Sequence, residues 1–336
     1  MKIKDKIIAY LRLCRIQATG LIATLSLLGA IVVGQNDLLV LCVIFIIGVF
    51  YQIFLYVLNE YVDLEVDKKS KDLQRKPLVS GVIPKKNAII IIILAIFVMY
   101  ALTIIFLPYL QTILILSLAV LLGSIYDIFG KKLPGMGDFI MAGSLAITFL
   151  FGASVVVNPF SNVVFLIFLI LLFFTVYANA VEGGIKDVDH DYLGGAKTLA
   201  TILDVKVMEG KLIMTKKFAF FAWAIEIISF ILILILANQP EINLFKSDDY
   251  LKIGIVTCLI IISLIATTMF ITIKKFDRAK MKKLFAVINA SSGALIIILL
   301  SPFIDIIKMI ILFTLLISWY IVSNLILYGT AIQPDI

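Results

Sequence analysis

Asn59-Glu60-Tyr61-Val62-Asp63-Leu64-Glu65-Val66-Asp67 closes a long apolar run, and seven basic residues follow it before the next apolar run begins. Continued as a helix, this stretch sets Asn59, Asp63 and Asp67 at i, i+4 and i+8, three oxygen-bearing side chains along one stripe. The stripe falls where a membrane helix leaves the bilayer. Oxygen ligands of this kind suit a hard divalent cation such as Mg²⁺, and the Lys and Arg that follow suit a phosphorylated substrate. The stretch therefore reads as half of a metal–diphosphate site, with the other half near Asp187.

The surrounding composition sets the class. Of the 336 residues, 62% are hydrophobic and only 15% charged, and the mean hydropathy is +1.13. Soluble domains carry about 45–50% apolar and roughly 25% charged residues. Apolar runs long enough to cross a bilayer recur, near 17–34, 38–58, 88–107, 109–129, 138–157, 161–181, 218–237, 251–273, 284–302 and 305–328. The chain is expected to be an all-α polytopic membrane protein, a nine- to ten-helix bundle. No soluble domain is visible, so residues 1–336 read as one membrane-embedded domain. Its core covers about 10–300, and 305–328 is a possible additional helix.

Net charge of +7 could suggest nucleic acid, but the basic residues lie in short loops between spans, which is a topology signal. With a cytoplasmic N-terminus, the segments 1–16, 59–87, 130–137, 182–217 and 274–283 hold 26 of the 29 Lys and Arg. A multi-pass protein of the cell membrane follows, its acidic clusters and nearly all its positive charge on the cytoplasmic side. Residues 1–16 read as a basic, partly amphipathic juxtamembrane helix. Cys14, Cys42 and Cys258 are far apart and have neither metal-type nor disulfide spacing.

The second acidic cluster reads Glu182-Gly183-Gly184-Ile185-Lys186-Asp187-Val188-Asp189-His190-Asp191, followed by Gly195, Lys197, Thr198 and Leu199. Asp187 and Asp191 share a helical face about 6 Å apart in rise, with Asp189 pointing elsewhere. Two carboxylates on one face repel, more so at a membrane boundary where the dielectric falls. A bound Mg²⁺ removes the conflict, and Mg²⁺ takes one or two carboxylates plus substrate phosphate oxygens. A single D-x-x-x-D pattern in a loop is commonly solvated surface. Two of them, Asp63/Asp67 and Asp187/Asp191, at equivalent places four spans apart, point to a site. That weak repeat implies two four-helix halves, each presenting an acidic helix end to a central cavity.

These residues resemble the UbiA superfamily of intramembrane prenyltransferases. Its first motif, N-D-x-x-D-x-x-x-D, is matched by Asn59, Asp63 and Asp67, with Glu60 in place of the first Asp. Arg75-Lys76-Pro77-Leu78-Val79-Ser80-Gly81 is similar to its basic-Pro-Leu-x-x-Gly element, and Tyr126 with Lys131 to its Tyr-x-x-x-x-Lys. Asp187, Asp191, Gly195, Lys197, Thr198 and Leu199 match its second motif. Arg15 sits where the family places a basic residue near the diphosphate.

The resemblance implies Mg²⁺ ions held by Asn59, Asp63, Asp67, Asp187 and Asp191. It implies a prenyl diphosphate contacted by Arg15, Arg75, Lys76, Lys131 and Lys186, with Tyr126 stabilising the cation or binding diphosphate. The isoprenyl group would pass to a lipophilic acceptor, either an archaeal ether-lipid glycerol phosphate or a quinone or aromatic precursor. The departing diphosphate would be stabilised by metal and cationic side chains, and the allylic cation protected by exclusion of water.

The competing class is a cation-coupled transporter using the paired clusters. Such a carrier would place its acids mid-span, whereas only Glu226 lies there. A CDP-alcohol phosphotransferase would need a D-G-x-x-A-R pattern, which is absent. His190 is the only histidine and takes no role. The basic loop 274–283 reads as a positive-inside anchor.

Overall fold

A computed structural model describes residues 3–69, 73–157, 160–245 and 249–331. The chain divides into two compact units. One comprises 1–128, 147–159 and 306–336, and the other 129–146 and 160–305.

The first unit begins with α1 (Ile3–Leu13) and α2 (Thr19–Val32), followed by α3 (Leu38–Asp67), α4 (Lys85–Phe106) and α5 (Leu110–Phe129). Local chemistry places the helix ends. Asp37 caps α3, its Oδ1 accepting from the Leu39 and Val40 N–H groups at 2.8 and 3.1 Å, which satisfies donors left open at a helix start. Pro108 separates α4 from α5, since proline lacks the N–H a continuing helix needs. The 48° bend between α1 and the next helix falls at Arg15, whose left-handed backbone (φ 44°) is uncommon for a side chain other than glycine or asparagine. Close helix contacts rest on missing side chains. A Cβ on Gly29 of α2 would meet the Phe149 carbonyl, and one on Gly152 the Ser26 carbonyl, as in the small-residue seams of membrane helices.

The second unit holds the start of α6 (Met136–Ala153), α7 (Asn162–Val176) and a seven-residue π-helical segment, Tyr177–Gly183. Short helices α8 (Gly184–Lys186), α9 (Val188–Gly194) and α10 (Leu199–Ile202) follow, and then strands β1 (Lys206–Met208) and β2 (Lys211–Ile213). The strands pair antiparallel, Lys206 opposite Ile213 and Met208 opposite Lys211. Their turn residues, Glu209 and Gly210, both have positive φ (50° and 73°), as a two-residue hairpin requires. This hairpin is a small addition to the expected all-helical fold, and its six strand residues are too few for a strand period to register in the sequence. Helices α11 (Lys216–Ala237), α12 (Tyr250–Ile271) and α13 (Arg278–Leu299) complete the unit. Thr215, Asp249 and Asp277 cap them in turn, each accepting from a first-turn N–H. The last helix, α14 (Ile306–Tyr328), belongs to the first unit.

Among the described residues, eight helices are long and apolar enough to cross a membrane, or nine if the bent pair at the N-terminus is one span. Isoleucine, leucine and phenylalanine side chains such as Ile90, Ile93 and Phe97 of α4 stay exposed, a surface suited to lipid rather than water. The chain is an integral, multi-pass membrane protein.

Candidate active site

In the first unit the helical stripe forms as its spacing predicts. Asp63 and Asp67 lie in the last two turns of α3 and are buried, each 7% exposed. Asn59 donates its Nδ2 to Asp127 Oδ1 in the last turn of α5, at 3.2 Å. With the amide nitrogen committed, the amide oxygen is the atom left to coordinate a cation. Lys76 Nζ lies 2.6 Å from Asp67 Oδ2, and both side chains are nearly buried. Such a pair holds together because each charge would be costly without the other.

The loop after α3 is folded back by the same residues. Buried Glu60 accepts from the Leu78 N–H at 3.4 Å, Pro77 O accepts from the Ile83 N–H, and Gly81 turns the chain with φ +73°. The acid at position 60 therefore fastens the Lys76–Gly81 loop and does not join the stripe, from which it is rotated by about 100°. Arg15 stacks its guanidinium over Tyr56, 4.6 Å from the ring centroid, one turn before Asn59 and Glu60. Its carbonyl accepts from Gln52 Nε2. Arg75 is exposed, and Tyr126 is half-buried at the end of α5. The side chain of Lys131 lies outside the described residues.

In the second unit the acids sit on a broken helix. The chain passes from the π segment through α8, and Asp187 interrupts the run with φ −107° and ψ 7° before α9 begins. The Asp191 N–H still donates to Asp187 O at 2.9 Å, so the i, i+4 relation survives the interruption. Lys186 Nζ approaches Asp187 Oδ2 at 3.0 Å, an ion pair partly open to solvent. Gly195, with φ +67°, ends α9, and the Lys197-Thr198-Leu199 segment then closes on the acids. Thr198 Oγ1 donates to Asp191 Oδ2 at 3.1 Å, Lys197 O accepts from the Gly135 N–H, and the Leu199 N–H donates to Asp138 Oδ2 at 2.9 Å.

Asp138 is buried at the start of α6 and also accepts from Asn179 Nδ2 at 3.0 Å. The two units thus share a device: an asparagine on the acidic helix donates to a buried aspartate at another helix end, Asn59 to Asp127 and Asn179 to Asp138. Asn179 stands two turns before Asp187, where the π segment replaces the ordinary α-helical turn before Gly183. Such wider turns occur often at functional sites.

Asp189 points away from this face. Arg278 at the start of α13 grips both its oxygens, at 2.6 and 2.7 Å, and its Nε donates to Lys186 O at 3.2 Å. The basic loop 274–283 is accordingly more than an anchor. The Leu212 N–H donates to Lys274 O and the Phe276 N–H to Gly210 O, so the loop pairs with the hairpin and Arg278 fastens it to the acidic segment. Glu226 lies buried mid-span, its Oε1 accepting from Ser263 and Thr267 at 3.0 and 3.2 Å. Glu182 is buried and accepts from Asn289 at 2.8 Å.

The residues that spacing alone misses are Asp127, Asp138, Asn179 and Arg278. Asp127 and Asp138 carry a weak signal, single acids at the ends of apolar spans where a lone charge needs a partner. Arg278 is one of six basic residues in its loop, and nothing local marks it out.

The profile of the UbiA prenyltransferase family matches residues 20–245. No curated protein matches by sequence. Among solved structures, one described as giving insight into digeranylgeranylglyceryl phosphate synthase in membranes is 19% identical with a TM-score of 0.66, covering 90% of this chain and 100% of its own. The apo structure of a UbiA homolog from Aeropyrum pernix K1 is 15% identical with a TM-score of 0.63, covering 84% and 98%. A UbiA homolog from Archaeoglobus fulgidus bound to GPP and Mg²⁺ is 18% identical with a TM-score of 0.62, covering 87% and 99%. At these identities the likenesses establish the fold.

Proposed function

This chain belongs to the UbiA prenyltransferase family, and from that premise we propose that it transfers an isoprenyl group from a prenyl diphosphate to a lipophilic acceptor with the help of Mg²⁺. The observation that carries this is the matched construction of the two acidic pairs. Each has an asparagine tied to a buried aspartate, a lysine on one carboxylate, and a following loop folded back by a leucine N–H.

The donors present suit the ion. Each cluster offers hard oxygens only, and among the described residues no three acidic, cysteine or histidine side chains form a ready cage. Magnesium asks for little more, since it is held by one or two carboxylates with waters and substrate phosphates filling the other positions. Asn59, Asp63 and Asp67 would hold it on one side, Asp187 and Asp191 on the other. When bound, the metal would neutralise charge on the leaving diphosphate.

The chain's own residues supply the rest. Lys76 and Lys186 bring cationic charge to the oxygens that leave, and Arg15, Arg75 and Lys131 add to it. Tyr126 presents its ring or hydroxyl to the allylic centre or the diphosphate. Breaking the C–O bond at the allylic carbon leaves a cation that persists where water is excluded, and apolar spans provide that exclusion. Residues 1–336 act as one domain in this scheme. The distribution of basic residues supports placing the N-terminus and both acidic clusters on the cytoplasmic side of the cell membrane.

The acceptor is an ether-lipid glycerol phosphate or a quinone-type aromatic precursor. Detergent-solubilised protein supplied with radiolabelled geranylgeranyl diphosphate and a panel of both acceptor types, with and without Mg²⁺, tests the proposal. Label should move to one acceptor class only when Mg²⁺ is present. Folded protein that neither binds nor cleaves any prenyl diphosphate would defeat it and favour the transporter alternative.

A further inference from the structure

The last helix, α14, lies beyond residues 20–245, the part that matches the family profile, yet it is joined to the N-terminal bend by specific polar contacts. Trp319 Nε1 donates to Ile16 O at 2.9 Å and reaches Thr19 Oγ1 at 3.2 Å. Thr19 Oγ1 itself donates to Ile16 O at 2.7 Å. From the other side of the bend, Arg12 Nε donates to Leu327 O at 3.0 Å, and a guanidinium nitrogen of the same side chain contacts that carbonyl as well. The Arg12 guanidinium also lies over the Tyr328 ring, 5.0 Å from its centroid. An arginine on the last-turn carbonyls of a helix satisfies acceptors that have no partner within the helix and meets the negative end of its dipole.

These contacts bracket Arg15, the residue with φ 44° between α1 and α2. Within the bend itself, the Arg15 N–H donates to Arg12 O and the Ala18 N–H to Arg15 O. A left-handed arginine is unfavourable unless its surroundings hold it there. The ties from α14 fall at positions 12, 16 and 19, on both sides of the strained residue. Arg15 in turn lays its guanidinium on Tyr56 of α3, one turn from Asn59.

We propose that α14 is a latch that fixes the left-handed bend at Arg15 and so positions the Arg15 guanidinium for the prenyl diphosphate. Trp319 and Arg12 are positioning residues: they act through Arg15. The diphosphate part of this proposal rests on the role given to Arg15 above.

Full-length protein carrying Trp319→Phe keeps an aromatic ring and loses the N–H donor together with part of the indole's bulk. One hydrogen bond of this kind is worth a factor of about 3 to 10, so KM for prenyl diphosphate should rise about that much with kcat nearly unchanged. Amides 16–19 should exchange with deuterium faster while the melting temperature stays close to that of the parent. In an Arg15→Ala background the same substitution should have no further effect on KM, because the two act in series. An equal rise in both backgrounds, or unchanged exchange at 16–19, would overturn the latch. If Arg15→Ala alone leaves KM unaltered, the diphosphate role of Arg15 has failed, and the amide exchange then decides whether α14 holds the bend.

Discussion

Asp63 and Asp67 stand at the end of one unbroken 30-residue helix, whereas Asp187 and Asp191 stand on a run that changes from π to α geometry and breaks at Asp187. Spacing is the same in both, and the surroundings differ. The first pair is buried, and its lysine partner is only 14% exposed. In the second, the Lys186 and Asp187 side chains are 30% and 46% exposed. In one half, therefore, the Asp67 charge is already paired out of water. The other is fastened through its flanks, by Arg278 on Asp189 and by the Asp138 contacts to Asn179 and Leu199. A D-x-x-x-D pattern thus states a spacing and leaves open how stiffly the carboxylates are held.

Substitutions should separate the two halves. The largest effect is expected at Asp67. Asp67→Asn removes a proposed ligand and strands Lys76, so turnover with prenyl diphosphate and saturating Mg²⁺ should fall by a factor of about 100 or more. Next comes Lys76→Met, which leaves a buried carboxylate uncompensated. Its cost in unfolding free energy should be about 3 kcal/mol, read as a fall in the denaturant midpoint in mild detergent, and Mg²⁺ should restore part of it.

Arg278→Met should lower activity about tenfold and stability by about 1–2 kcal/mol, because a two-pronged charge-assisted contact is lost at a partly exposed site. Circular dichroism should show the helix content unchanged. The smallest effect belongs to Lys186→Met, within about 1 kcal/mol of the parent in stability, since a solvent-accessible ion pair contributes little. If Lys186→Met proves as damaging to stability as Lys76→Met, the contrast between a buried and an open half is wrong.

Much of this was legible from residue order alone. The apolar runs mark the eight or nine membrane-length helices found among the described residues, and the i, i+4 acids can be read from helical periodicity. The motif around Lys76 through Gly81 and the one around Lys197 through Leu199 were visible as patterns. Their physical job was not: each ties its loop down through a leucine N–H, to Glu60 of the acidic helix in one case and to Asp138 of α6 in the other. Glu60 reads only as a Glu in place of the first motif's Asp until its burial and its contact with Leu78 are known. Contacts such as Asn179 with Asp138, 41 residues apart, or Arg278 with Asp189, 89 apart, depend on tertiary packing that no local period encodes. The π segment is equally silent, because Tyr177–Gly183 reads as ordinary helix by composition. The hairpin at 206–213 escapes for the opposite reason, being too short to show a period.

If the proposed chemistry holds, both acidic pairs are needed to release diphosphate. The most direct test is Mg²⁺-dependent diphosphate release from geranylgeranyl diphosphate, measured on Asp63→Ala, Asp187→Ala and the double variant, all confirmed folded by thermal unfolding. Either single substitution should remove release almost completely, and the double variant should be no worse, as expected for residues acting as a unit. Undiminished Mg²⁺-dependent release by Asp187→Ala would contradict it and leave the first unit as a site by itself.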